Sequence, residues 1–371
     1  MPVAYDVIVI GLGAMGSAAA CHLAQRGTRV LGLDRFTPPH AFGSSHGETR
    51  IIREAYFEHP MYVPMVQRAY LLWRALEEQT GTTLLRETGG VMLGTPDSDL
   101  VKGALLSAEL HQLPHEMLTA IQVRERFPAL RPEPDMAAVW EPRAGVLFPD
   151  LCITAHLAQA RKHGADLHYQ ECALRWENSS DGIRVVTTNG EYCAAKLIVT
   201  AGAGISVLFP ELPLRIERQV LFWFDPAGSV SMFAPDCCPV HLWQFDGRRF
   251  FYGFPNFGSG VKVAFHHGGA MTTADAVQRD VEDFELEDIR CALRRFVPAA
   301  DGDLRATSVC LYTNTPDEHF WIDRDPAHPL AVIASACSGH GFKFSPAIGE
   351  ILADLVQDRR PRFDLSLFAR R

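Results

Sequence analysis

The sequence predicts an α/β protein: a Rossmann-like nucleotide-binding domain interrupted by a discontinuous α+β domain built on an antiparallel sheet. Three observations carry that reading. A strand, glycine turn, helix and strand follow one another over residues 5–36. A second buried strand ending in small residues runs over 194–204, and an aromatic hairpin pattern lies beyond it at 241–255.

The opening unit reads YDVIVIGLGAMGSAAACHLAQRGTRVLGLDRF. Tyr5 to Ile10 is a short β-branched run of the kind buried in parallel sheets. Gly11, Gly13 and Gly16 then make G-x-G-x-x-G. The first permits a tight turn, the second lets a pyrophosphate approach the backbone, and the third lets helix pack on strand. Free N–H groups at the start of the helix add a positive end for that anion. Arg29 to Leu33 is the second strand. Asp34 follows where an acid accepts ribose hydroxyls, which disfavours a 2′-phosphate and hence NADP. FAD and NAD both fit this unit. The later strand, AAKLIVTAGAG at 194–204, returns to the same sheet, as in proteins where FAD lies extended across the domain.

Between these segments the pattern changes. Residues 61–80 carry Met65, Tyr70, Trp73 and Leu76 at helical spacing, which predicts a packing helix. RETGGVMLG (86–94) reads as a strand of a different sheet, and 95–145 alternates helical and proline-rich pieces. HLWQFDGRRFFYGFP (241–255) reads as a hairpin with Asp246-Gly247 as a two-residue turn. The expected division is 1–85, 145–215 and 315–371 for the nucleotide domain, with 86–144 and 216–314 for the second domain.

Composition narrows the function. Hydrophobic residues make up 47% and charged residues 21% of 371, which is ordinary globular composition. The net charge of -9, with no basic runs, argues against nucleic acid or an anionic membrane as partner. Nine irregularly spaced cysteines do not form a disulfide framework, and none makes C-x-x-C. No metal site is expected. The apolar N-terminus lacks the basic start of a signal peptide, and no apolar run has transmembrane length, so a soluble cytoplasmic protein is expected.

The segment AVIASACSGHGFKFSPAIGEILADL (331–355) reads as strand, turn and helix. Gly339 and Gly341 bracket the turn, Ser345 stands at the N-cap and Pro346 at the first helical position. The positive end of that helix would face the turn, where it would stabilise a reduced flavin. With GLGAMG, GSSHGETRIIREAY (43–56), CLYTNTPDEHF (310–320) and SGHGFKFS (338–345), nearly the whole chain resembles the monomeric sarcosine oxidase and N-methyltryptophan oxidase family. These are flavoenzymes of the glutathione-reductase-like FAD superfamily.

The resemblance implies the following roles. Cys310 matches the cysteine bonded covalently to the flavin 8α-methyl. Arg53 and Lys343 match the pair that grips a substrate carboxylate, as charge-assisted donors would. Tyr312 matches an aromatic wall of the pocket, His266 the active-site histidine, and Tyr252 is a weaker pocket match. Lys262 matches the lysine that activates oxygen, and Arg50 and His46 match residues beside it that aid flavin attachment. Ser45 and Glu54 depart from the pattern, each standing where the family carries a histidine. The implied reaction is oxidation of an N-methyl amino acid by O2, giving formaldehyde and hydrogen peroxide. The alternative is oxidation of a cyclic or primary amino acid. A monomer is expected.

Overall fold

The computed structural model describes residues 5–369, so positions 1–4 and 370–371 at the ends of the expected nucleotide domain lie outside the described residues. Its first layer is an eight-stranded sheet. Tyr5–Ile10 lies at its centre, parallel to Val30–Leu33 on one side and to Glu191–Val199 on the other. Glu191–Val199 divides one edge between two partners. Its first half pairs antiparallel with Gly182–Thr187, and its second half pairs parallel with His328–Ser335. The chain therefore brings a strand from near its C-terminal end beside the opening glycine turn.

Helix Ala14–Gln25 covers this sheet because its face is made of small residues, with Ala18, Ala19 and Ala20 fully buried. Helix Ser345–Val356 crosses it closely: a Cβ on Gly349 would stand 2.7 Å from Ala18 Cβ. Helix Tyr62–Thr80 packs behind, burying Met65, Tyr70, Trp73 and Leu76 as their spacing predicts. Burying Met65 or Leu76 fully contributes about 1.5–3 kcal/mol each. The helix ends at Gly81, whose φ of 67° is the left-handed cap that glycine favours.

The second layer is a nine-stranded sheet. Long strands Arg215–Phe224 and Leu304–Asn314 pair antiparallel along their length, and Val261–His266, Arg249–Gly253 and Val240–Phe245 continue outward. Val240–Phe245 then runs parallel to Gly90–Gly94. Helix Asp283–Phe296 packs on this sheet through Ile289, Leu293 and Phe296, with Phe296 stacked on Trp243 at 4.9 Å. A three-stranded sheet, Arg50–Ile52, Gly145–Leu147 and Leu85–Glu87, joins the two layers.

Three local expectations are corrected. The run 86–94 is not one strand: it splits into Leu85–Glu87 in the small sheet and Gly90–Gly94 in the large one. The break falls at Gly89, at φ 70°, where a Cβ would overlap the Trp140 ring at 1.7 Å. The hairpin loop has three residues, since Phe245 pairs with Arg249. Asp246 and Gly247 both take positive φ there. Ser345 does not cap its helix: a short 3-10 turn, Phe342–Phe344, precedes it, and the buried Ser345 hydroxyl has no protein partner. Among the described residues no helix is long and apolar enough to cross a membrane.

Candidate active site

Both layers and the small sheet border one cavity of about 670 Å³. At one end lies the glycine turn. Gly11 takes φ 87°, and a Cβ on Gly16 would sit 1.8 Å from the Gly11 carbonyl, so neither position has room for a side chain. A Cβ on Gly13 would meet only Ser45 Oγ at 3.8 Å, so its backbone faces open space. Asp34 lines the same end, fixed by N–H groups of Leu12 and Phe36, each donating at 2.8 Å to a different carboxylate oxygen. Each oxygen keeps a lone pair for a ribose hydroxyl. Further along, Thr313 and Ser335 line the cavity, and their buried hydroxyls have no partner in the protein. Buried polar groups without partners mark a place for a polar ligand. A glycine cradle, an acid with free lone pairs and orphaned hydroxyls in one cavity fit FAD.

The middle of the cavity holds Cys310, on strand Leu304–Asn314. Its Sγ lies 3.3 Å from the Ser44 carbonyl and 3.5 Å from Arg50 Nη2. Burial pushes the thiol pKa up, and the Arg50 charge opposes that shift. Arg50 is held in place by the carbonyls of Ser44 and Thr49, both at 2.8 Å. Lys262 and His46 do not line the main cavity. Lys262 is buried behind its wall and donates to Gly47 O, Thr49 O and Thr49 Oγ1 at 2.6, 2.7 and 3.2 Å. Burial, then Arg50, push its pKa well below the ordinary lysine value. His46 is held down to about 3 by burial and by Arg50, and its Nε2 has no partner.

The far end is the polar pocket. Arg53 and Lys343 both line it, although one follows the strand Arg50–Ile52 and the other lies in the turn before helix Ser345–Val356. The Tyr56 ring stands under both, 4.3 Å from the Arg53 guanidinium and 5.1 Å from Lys343 Nζ. Lys343 donates to the His340 carbonyl at 2.6 Å and to Tyr56 OH at 3.3 Å, and that hydroxyl bonds His340 Nδ1 at 2.7 Å. Burial lowers the Lys343 pKa to about 7, Arg53 adds to the shift and Glu58 opposes it. Arg53 is only 4% exposed and donates from Nη2 to both oxygens of Glu58. Burial works against the Glu58 carboxylate, but Arg53, His340 and Lys343 outweigh it and hold the pKa below the usual range.

His266 and Tyr312 face this pocket from the nine-stranded sheet, with His266 Nδ1 3.2 Å from Tyr312 OH. Burial, then His267, His340, Arg53 and Lys343, push the His266 pKa well below the ordinary histidine value. Gly339 has φ 74°, and a Cβ there would lie 2.5 Å from the Tyr312 ring and 2.6 Å from His266. The glycine is what lets those two side chains reach the cavity. Gly341 lines the cavity as well, and a Cβ on it would strike the Ala336 carbonyl at 1.7 Å. Tyr252 completes the aromatic wall.

Sequence reasoning missed Glu58, Tyr56 and His340 as members of this network. The acid five positions beyond Arg53, in REAYFEHP, was the only available signal for Glu58. Glu54 does not face the pocket: it is buried and pairs with Arg143 at 3.2 Å. Among the described residues no group of three or more His, Cys, Asp or Glu side chains is placed to hold a metal ion.

Known proteins resemble this chain over nearly its whole length. The chain is 46% identical over 370 residues to monomeric sarcosine oxidase of Streptomyces avermitilis, covering 98% of this chain and 96% of that one. It is 36% identical over 367 residues to N-methyl-L-tryptophan oxidase of Yersinia pestis, covering 98% of each. Among solved structures, NikD, an unusual amino acid oxidase essential for nikkomycin biosynthesis, superposes with a TM-score of 0.86 at 25% identity, over 98% of this chain and 97% of the other. The profile of the FAD dependent oxidoreductase family (DAO) matches residues 6–355, and the chain belongs to that family of FAD-dependent oxidoreductases.

Proposed function

We propose that this protein oxidises the secondary amine of an N-methyl amino acid with O2, yielding the demethylated amino acid, formaldehyde and hydrogen peroxide. The observation that carries the reading is the convergence of Arg53 and Lys343 over one tyrosine ring in the FAD-fitting cavity. Two cations in a closed site suit a free carboxylate, and two of the relatives are oxidases of sarcosine and of N-methyl-L-tryptophan by name.

Gly11, Gly13, Gly16 and Asp34 would hold the nucleotide end of FAD, Gly339 and Gly341 would make room for the rest of it, and Cys310 would supply a thioether tether. Bound FAD supplies the acceptor for the amine's hydride equivalent and returns the electrons to O2. Arg53 and Lys343 fix the substrate carboxylate, and their charge lowers the pKa of the neighbouring ammonium so that it sheds its proton. Neutral His266, steadied by Tyr312, is a hydrogen-bond partner for the amine without adding a competing charge. Tyr252 and Tyr312 wall the pocket and exclude water. Lys262, buried beside Arg50 with three oxygen acceptors, is the donor placed to meet the negative charge that develops on O2, and such an anion would favour its protonated form.

The test is a panel of N-methyl, cyclic and primary amino acids, read by anaerobic bleaching of the yellow protein and by peroxide and formaldehyde release. Bleaching with formaldehyde release from N-methyl substrates is the expected result. Turnover confined to cyclic or primary amino acids would transfer the activity to those substrates, and no bleaching with any of them would exclude an amino acid oxidase.

A further inference from the structure

The turn Glu141–Arg143 takes no part in the chemistry above, yet it holds the segment that carries Arg53. Glu141 ends the strand Ala137–Glu141, is 1% exposed and does not line the cavity. Its Oε1 accepts the N–H of Glu54 at 2.6 Å and its Oε2 accepts that of Ala55 at 2.9 Å. Arg53 Nη1 in turn donates to the Ala55 carbonyl at 3.0 Å. From the other end of the turn, Arg143 lies 3.2 Å from the buried Glu54 carboxylate, and its own carbonyl is pinned by Tyr70 OH at 2.8 Å. The two residues that follow Arg53 are thus gripped through backbone by a carboxylate and through a side chain by a guanidinium.

A carboxylate suits this place for a chemical reason. Two successive buried N–H groups outside a sheet ladder need two acceptors, and the two oxygens of one carboxyl supply both; burial raises the Glu141 pKa to about 7, and these two N–H groups oppose that shift by favouring the carboxylate. A glutamine would satisfy one and turn its own NH2 toward the other. The link is also long-range: Glu141 belongs to the nine-stranded sheet, whereas Arg53 leaves the small sheet that joins the layers. The sheet that supplies His266 and Tyr312 therefore also sets the position of the Arg53 loop.

We propose that Glu141 is a positioning residue which aims the Arg53 guanidinium and thereby governs the affinity of the site for a carboxylate. This rests on the carboxylate clamp proposed above. A residue that merely staples the fold would loosen every property of the site together, whereas a positioning residue moves carboxylate binding alone.

The experiment uses the FAD-loaded protein, with acetate as the probe, read by the flavin absorption change, and sarcosine as substrate. Glu141→Gln is expected to weaken acetate binding and raise KM roughly ten-fold, the effect of losing one hydrogen bond to a charged acceptor. The kcat and the rate of reoxidation by air should stay near wild type. Arg143→Met, at a side chain 46% exposed, should shift acetate affinity in the same direction by less, and it carries the test if Glu141→Gln does not fold. Wild-type acetate affinity in the folded variant would overturn the proposal, as would equal losses in acetate affinity, kcat and reoxidation. Arg53→Met run alongside separates the two ideas. If it binds acetate normally, the clamp itself fails; if it binds weakly while Glu141→Gln binds normally, only the role of Glu141 fails.

Discussion

Arg53 Nη2 lies 2.8 and 2.7 Å from the two oxygens of Glu58, so a carboxylate of the protein already occupies one edge of the guanidinium expected to bind a substrate carboxylate. The pair is buried, and removing one partner of a buried pair costs about 3–5 kcal/mol. Glu58→Gln should therefore lower the melting temperature. It should also tighten acetate binding, because the anion then neutralises Arg53 without a competitor, and acetate should restore more stability to the variant than to wild type. Arg53→Met should weaken acetate binding by an order of magnitude or more. Thermal shifts with and without acetate check both, and equal acetate effects in wild type and Glu58→Gln would remove Glu58 from competition.

Lys343 makes that binding pH-dependent. Its pKa falls from the ordinary 10.5 to about 7, chiefly through burial. Below that value the ammonium is present and attracts an anion, and above it the amine is neutral. A bound anion stabilises the charged form, so acetate affinity should fall as pH rises through about 7, approaching ten-fold per pH unit. Titrations from mildly acid to alkaline pH check this. A dissociation constant independent of pH would take Lys343 out of the anion site, and Lys343→Met should abolish the dependence.

Lys262 and Lys343 should separate the two half-reactions. Lys262 is held by three oxygen acceptors next to Arg50, away from the polar pocket. Removing one preorganised donor from a developing anion typically lowers a rate by about 10²–10³. Lys262→Met should bleach with substrate at a near-normal rate without air and then reoxidise slowly, while Lys343→Met shows the reverse imbalance. Stopped-flow traces in which Lys262→Met reoxidises like wild type would move oxygen activation elsewhere.

Cys310 is buried among groups that suit a tether, with Arg50 favouring its thiolate against the effect of burial. After denaturation and acid precipitation, flavin colour should remain with the chain, and Cys310→Ser should release it. All of the flavin appearing in the wild-type supernatant would exclude a thioether.

Much of the nucleotide end was legible because its constraints are local. Gly11 and Gly16 are needed within a few residues of one another, and the alternation from β-branched strand to small-residue helix is written in consecutive positions. The buried face of Tyr62–Thr80 follows from helical spacing in the same way. Where the deciding neighbour is distant in sequence, local signals misled. Trp140 breaks the 86–94 run at Gly89, and the turn before Ser345 displaces a good capping residue into the helix.

By itself, then, the sequence determined the glycine turn, the acid that follows the second strand, the order of strand and helix and, through its motifs, the candidate residues of the site. Only the tertiary structure decided what each candidate meets: Arg53 with Glu58 and Lys343, Lys262 with the backbone of residues 47–49, and Glu54 with Arg143. The reason is physical. Turn and helix preferences act over a few residues, whereas the direction and charge of a buried side chain depend on acceptors brought from strands and turns far away in the chain.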